Sequence, residues 1–478
     1  MHVNQRRQLF NPRSTSNLYR VFLLTVSILG GLWALYGVKE GAIQVIGGPT
    51  LTPTRGALSY KSEGDAYFQA GELKAAVSAY ELAIQVDPND ATAWAELARI
   101  QTYSSALTTT DEEKRVVMQA ALQSIDQAKA LAPDSSDVAA IRAFVLDWLA
   151  NPIISGEDAD DYLLEAEQEA TRARQLNPQN VLALAYNAEI LIDQQKLDQA
   201  EQLIDQALTL SQDQMDVYRI HAYLLESQAA YSAAIEEYDK AISLMPNLTF
   251  LYLSAGANYR RLAFGSPAEG GQQTDLYIKS LEYFDRAAKI NEQLKVKDPI
   301  PYLSISKTYS QMGEYFIAGR NVQKALDFRP NDADVYGQLG IVFFKSRNYE
   351  GAIPALACAI RGCGPEESCI GRYGRECDPD FNEIGVEVKG LPLSPNTVVY
   401  YYTYGSVLAS LSRPKVNYCP EAMEIFQEVR ASFSDDAIIM SIIQDGENIC
   451  RGIGQPRVPT PDDMPTPVST PTPTPGVE

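Results

Sequence analysis

Six cysteines are the residues of this chain best suited to covalent or metal chemistry, and all lie in its last quarter: Cys358, Cys363, Cys369, Cys377, Cys419 and Cys450. An even number confined to one region, with none before it, reads as a disulfide framework formed in an oxidising compartment. The first four follow the spacing C-x4-C-x5-C-x7-C. A metal site of four thiolates would favour paired C-x2-C knuckles, and a dithiol redox centre would need C-x-x-C, so both are weaker readings. Cys419 precedes an expected helix over 420–431, and Cys450 ends the next, over 435–450. In an antiparallel hairpin the start of one helix lies beside the end of its partner, so these two are expected to pair. The other four lie in or beside a segment, 361–391, rich in glycine and proline. Apolar burial alone would not hold such a segment, and two local bridges would staple it.

General acid–base chemistry has little to work with. The chain has two histidines, His2 near the start and His221 where a helix is expected to place a packing residue. There is no H-E-x-x-H, no phosphate-binding Walker loop and no dinucleotide-binding glycine fingerprint. Asp160-Asp161 and Asp435-Asp436 read as helix starts, where carboxylates complement the dipole. No catalysis and no cofactor is expected.

The elements that must position any functional side chain recur about every 34 residues, a period that signals a stacked array of small units. Gly64, Tyr67, Ala76, Tyr80, Ala83 and Pro88 mark one unit; Ala222, Leu225, Ala234, Tyr238, Ala241 and Pro246 mark another at the same spacing. Within a unit these positions fall on single faces of two successive helices, with Gly71 between them and a proline closing the unit. The pattern returns as Tyr302, Tyr309, Ala318, Ala325 and Pro330, as Tyr336, Leu339, Gly340, Phe343, Ala352, Leu356 and Ala359, and more weakly as Ala188, Leu191, Ala200, Ile204 and Ala207. These residues resemble the tetratricopeptide repeat (TPR). The resemblance implies an all-α right-handed superhelix, an α-solenoid, over 57–360, with a last repeat-like unit and a capping helix in 392–455. In three units the second helix arrives roughly 11 residues late, about three helical turns, placing insertions around Thr108, Pro152 and Gly265 on one edge of the array.

Residues 21–38 carry no charge and are expected to form a transmembrane helix, with Tyr19, Trp33 and Tyr36 suited to the interfaces. Arg6, Arg7, Arg13 and Arg20 precede it without an acidic residue. The positive-inside rule therefore puts residues 1–20 in the cytoplasm and the array outside, across a linker at 39–56. A cleaved signal peptide is the rival reading, weakened by the long apolar run and the lack of a clean small-x-small site. The proline- and threonine-rich stretch 456–478 suits an extended, disordered stalk or spacer.

The net charge is −21. An acidic array repels phosphate backbones and favours a basic protein or peptide over nucleic acid, with membrane contact left to the anchor. The resemblance implies that partners bind the inner face, lined by the first helix of each unit. By position the exposed inner stripe is expected to include Lys61, Asp65, Phe68, Arg219, Tyr223, Glu226, Phe250, Leu253, Arg260, Lys307 and Phe344, with Tyr223, Phe250 and Phe344 as aromatic anchors. A subset of the family clamps C-terminal carboxylates with Lys and Asn; Asp65 and Glu96 beside Lys61 oppose that specificity. The expected function is a membrane-anchored scaffold for protein–protein interaction. One alternative is a non-catalytic subunit of an envelope enzyme or secretion complex; another is a metal-binding or redox module in the cysteine-rich segment.

Overall fold

The computed structural model describes residues 17–39, 55–108, 111–267, 271–381 and 383–453. The basic tail up to residue 16, most of the linker and the proline-rich stretch lie outside them. Two compact units are present, Met1–Gly56 and Ala57–Glu478.

In the first unit, helix α1 (Leu18–Lys39) carries exposed apolar side chains, among them Phe22, Leu24, Ile28 and Leu32. Among the described residues no single helix is long and apolar enough to cross a membrane; α1 contributes a shorter apolar stretch, Leu18–Trp33.

The second unit is a run of helix pairs. They are α2 (Ala57–Gln69) with α3 (Leu73–Val86), α4 (Ala91–Ser105) with α5 (Asp111–Leu131), and α6 (Ser136–Leu149) with α8 (Ala159–Leu176), the short α7 (Pro152–Ser155) lying between these last two. Next come α9 (Val181–Asp193) with α10 (Leu197–Leu210), α11 (Met215–Ser227) with α12 (Tyr231–Leu244), and α13 (Thr249–Gly265) with α14 (Gln272–Gln293). Then follow α15 (Ile300–Gln311) with α16 (Tyr315–Phe328) and α17 (Ala333–Lys345) with α18 (Tyr349–Arg361). The cysteine-rich segment holds α19 (Pro365–Tyr373), and α20 (Val398–Leu411), α21 (Cys419–Phe433) and α22 (Ala437–Gly452) close the array. Every described regular element is helical, apart from two isolated β-bridges.

The recurring small residues do what their spacing implies. A Cβ added at Gly64 would lie 2.4 Å from the Tyr80 ring, and one at Gly340 2.4 Å from Leu356, so glycine lets paired helices meet. Ala76, Ala83, Ala121, Ala128, Ala200 and Ala207 are fully buried. N-caps start the first helices where the turns expect them: Asp90, Asn180, Asp332 and Asp436 each accept a hydrogen bond from their own first turn.

The late second helices take two forms. Helices α5 and α14 are extended, while the insertion near Pro152 is α7 and a turn of 3-10 helix. The first two insertions touch, Arg115 Nε donating to the Ile154 carbonyl at 2.9 Å. One apolar core runs from Phe68 to Ala255 and a second from Ala318 to Ile443.

The repeats coil tightly enough for distant units to meet. At Gly71, with φ +73°, an added Cβ would lie 2.3 Å from the carbonyl oxygen of Asn247, in the turn between α12 and α13. Arg329 pairs with Glu113 at 2.6 Å, joining the turn after α16 to α5.

Candidate functional site

The inner face is set by one stripe on each first helix. Glu96, Arg99 and Tyr103 lie three and four apart on α4; Phe144, Asp147 and Trp148 share a face of α6; Tyr186, Glu189 and Asp193 do so on α9; and Asp216, Arg219 and Tyr223 on α11. Coiling turns these stripes toward one another across the array.

They meet around Asp216, which is 0% exposed. Its carboxylate accepts from Arg99 Nη2 and the Tyr103 hydroxyl, and from Tyr186 at 2.8 Å. Beside it, Arg219 grips Glu189 with two parallel bonds of 2.7 and 2.6 Å, and Trp148 Nε1 donates to the same carboxylate at 3.3 Å. Aromatic rings fill the space between the ions. Phe250 stacks on Tyr103 at 5.3 Å, Phe144 on Tyr186 at 4.5 Å, and Arg219 lies 5.6 Å from the centroids of both Tyr103 and Phe144. Burial pushes the Asp216 carboxyl up, but Arg99, Arg219 and the hydroxyl bonds outweigh it and hold it below the usual carboxylate range. Burial pushes the Tyr103 and Tyr186 hydroxyls up, which keeps them protonated as donors.

This packing corrects the expectation of an open stripe. Phe68 and Arg219 are each only 7% exposed. Phe68 lies against Tyr103 and under the Arg99 guanidinium, and Arg219 is engaged by Glu189. A repeat array with a wider coil would leave both open; here units one to five close on each other, and the inner face becomes core.

The remaining candidates are dispersed. Lys61 pairs with Asp90 at 2.7 Å, and Asp65 accepts from the Tyr80 hydroxyl at 2.5 Å, so both tie neighbouring helices. Tyr223 donates to Asp193 at 2.6 Å. Glu226 accepts from Arg261, from Asn258 at 2.9 Å and from Tyr238 at 3.3 Å. Leu253 is half-buried against a small cluster of Tyr252, Ala287 and Ile290. Arg260 lies 5.2 Å from the Phe284 centroid and donates to the Ser304 carbonyl at 3.1 Å; burial and the neighbouring Arg261 push its guanidinium down to about 10. Lys307 is exposed, with its ammonium pushed down by burial, Arg260 and Arg261. Phe344 is half-buried 5.9 Å from Tyr349.

Of these, Arg219, Tyr223 and Phe250 share one cavity of about 660 Å³. Asp147, Trp148, Glu189 and Asp193 line it too, and sequence reasoning missed them. The signal was present as the same inner stripe on α6 and α9. His221, on the side of α11 that meets α12, faces Glu237 at 3.3 Å. Among the described residues no three His, Cys, Asp or Glu side chains are grouped to hold a metal ion.

The cysteines form three bridges: Cys358–Cys363, Cys369–Cys377 and Cys419–Cys450, the last joining the start of α21 to the end of α22 across 5.5 Å between Cα atoms. The segment between α18 and α20 is less loop-like than its glycines suggest. Helix α19 seats on the array, with the Tyr336 hydroxyl donating to the Ser368 carbonyl at 3.2 Å and Gln323 to the Arg372 carbonyl at 2.6 Å. Buried Arg372 donates in turn to the Ile384 carbonyl.

Residues 64–102 match the family model described as a TPR repeat. No curated protein matches the sequence. Among solved structures, a thermophilic TPR protein of Thermus thermophilus is 21% identical, covering 42% of this chain and 98% of its own, at a TM-score of 0.35. The human IFIT1 dimer with PPP-AAAA is 15% identical over 79% of this chain and 90% of its own, at 0.45. A monomeric IFIT1 mutant with m7Gppp-AAAA is 13% identical over 89% of this chain and 85% of its own, at 0.50. Of these, only the last reaches a TM-score of 0.50, and at 13% identity it speaks for the fold alone.

Proposed function

We propose that this chain, a tetratricopeptide-repeat protein, is a scaffold that holds a basic protein or peptide partner at a membrane surface. The observation that carries the reading is the cavity on the inner face, where carboxylates of α6 and α9 stand beside Trp148, Tyr223 and Phe250. Acidic and aromatic walls together favour a cationic partner, and the net charge of −21 attracts one over distance while disfavouring a phosphate backbone. The ground for an anchor with a cytoplasmic N-terminus is the sequence, the uncharged run 21–38 with arginines ahead of it; the described apolar stretch of α1, Leu18–Trp33, is shorter than a full span. Three disulfides support an extracytoplasmic array.

The test is capture from a membrane extract by the full chain in detergent, with partners identified by mass spectrometry. Y223F/F250L, which keeps most of the packing of Phe250 against Tyr103 but removes the Tyr223 hydroxyl and the Phe250 ring face, should weaken capture while the protein stays folded by circular dichroism; undiminished capture by Y223A/F250A refutes the site. The alternative of a non-catalytic subunit predicts one stoichiometric complex instead of an exchangeable partner. The three bridges favour the disulfide reading over a four-thiolate metal site, and mass spectrometry of the non-reduced protein tests it: intact bridges and no bound metal eliminate the metal alternative.

A further inference from the structure

Asp147 is a buried acid without a mate. It is 5% exposed, it lines the inner-face cavity, and its Oδ1 has no hydrogen-bond partner. An isolated carboxylate in such a place costs several kcal/mol unless it is neutralised or paired. Its surroundings worsen that cost. Asp147 lies in the last turn of α6, and Asp193 is the last residue of α9, so both carboxylates stand at the negative poles of helices. Glu189, one turn earlier on α9, adds a third negative charge. Burial, then Asp193 and Glu189, push the Asp147 carboxyl well above its ordinary range, against a smaller opposing pull from Arg219.

The resident cations do not relieve this. Arg219 is engaged by both oxygens of Glu189. Lys114, on α5, lines the same cavity, but among the described residues it makes no ion pair, and burial pushes its ammonium below its usual range. Asp193 has one oxygen on the Tyr223 hydroxyl and is exposed at the cavity mouth. A floor carboxylate and a mouth carboxylate therefore remain, with Trp148, Tyr223 and Phe250 as aromatic walls. Acceptors at two depths and π-faces between them suit an alkylammonium or guanidinium on a flexible stem.

We propose that the cavity floored by Asp147 receives the side chain of a lysine or arginine presented by a bound peptide segment. The proposal rests on the reading of the array as a peptide-binding scaffold and assigns the contact that recognises the partner. Asp147 pairs with the cation at the floor, Asp193 receives its approach, and the rings cover its stem.

The full chain in detergent would be titrated with fluorescent hexalysine, hexaarginine and hexaglutamine peptides, with free cadaverine as competitor. D147N should weaken both cationic peptides by about 30-fold, the loss expected when one partner of a buried charge pair is removed. D147E should retain most of the affinity, K114M should equal or exceed the parent, and hexaglutamine should not bind. D147N should also leave the thermal midpoint of the free protein unchanged or raise it, since Asp147 Oδ1 has no hydrogen-bond partner to lose; a lowered midpoint would show that Asp147 has a structural partner and overturn the proposal. So would cationic peptides binding D147N within about threefold of the parent, which marks diffuse surface attraction. Displacement by cadaverine as effective as by hexalysine would make this a free-amine site and overturn the peptide assignment. If Y223A/F250A loses the peptides and D147N does not, the groove stands and the pocket falls; if neither matters, both fall.

Discussion

Replacing Asp216 by asparagine should loosen the first five repeats as a block. Asp216 is fully buried and holds Arg99 of the second unit, Tyr103 beside it and Tyr186 of the fourth. Removing one partner of a buried ion pair costs about 3–5 kcal/mol, because the other charge stays behind in low dielectric. Arg99 keeps Glu96 at 3.1 Å and its seat over Phe68, which places the loss at the low end, about 3 kcal/mol. A repeat array need not unfold in one step, so the readout is native-state hydrogen exchange resolved by helix. Opening free energies in α4, α9 and α11 should fall together, while α20–α22, in the second apolar core, keep theirs. R99M/Y103F/Y186F/D216L, which removes the ion pair together with the two hydroxyls that Asp216 accepts, should recover most of the loss. The pH dependence has a defined sign. The folded-state pKa of Asp216 is depressed, so its contribution is present above its unfolded value of about 4 and is lost as pH falls through the folded one. A D216N loss below about 1 kcal/mol, or one spread evenly to α20–α22, would refute the view that the inner face ties distant repeats together.

Two further outcomes follow from single residues. G71A should cost about 2 kcal/mol or more, since it combines a left-handed φ of +73° with a clash against the Asn247 carbonyl; G313A, with φ +82° and open space around it, should cost about half as much in the same urea titration. Asp298 is buried and accepts from Asn291 at 3.0 Å and from the Ile300 amide at 2.9 Å, yet burial still pushes its carboxyl up to about 6. A raised folded pKa favours the protonated native state, so stability is lost as pH rises from about 4 through 6. D298N should therefore gain on the parent by up to about 3 kcal/mol between pH 4 and 8 in paired denaturation curves, and a constant difference would refute it.

The parts legible from sequence are those decided within one unit. Ala76, Tyr80 and Ala83 share a face because helical periodicity is local, and Gly71 and Pro88 bound their helices through their own backbone chemistry. The match of Cys419 to Cys450 is also local in this sense: an antiparallel hairpin brings helix start to helix end without reference to the rest of the chain. The late second helices announce insertions, although their division into an extended α5 and a separate α7 depends on what each can pack against.

Residue order alone is enough to specify paired helices in series, with acidic and aromatic residues on the first helix of each pair. What those residues face is settled only when the units stack. Pitch arises from small rotations added from unit to unit, and no single repeat encodes the sum. That sum brings Arg99 to Asp216 across 117 positions of sequence, buries Phe68 and Arg219 where an open stripe was expected, and leaves Asp147 at the floor of a cavity without a cation of its own. Charge pairing at such separations depends on position in space, and in a coiled array that position is a property of the whole.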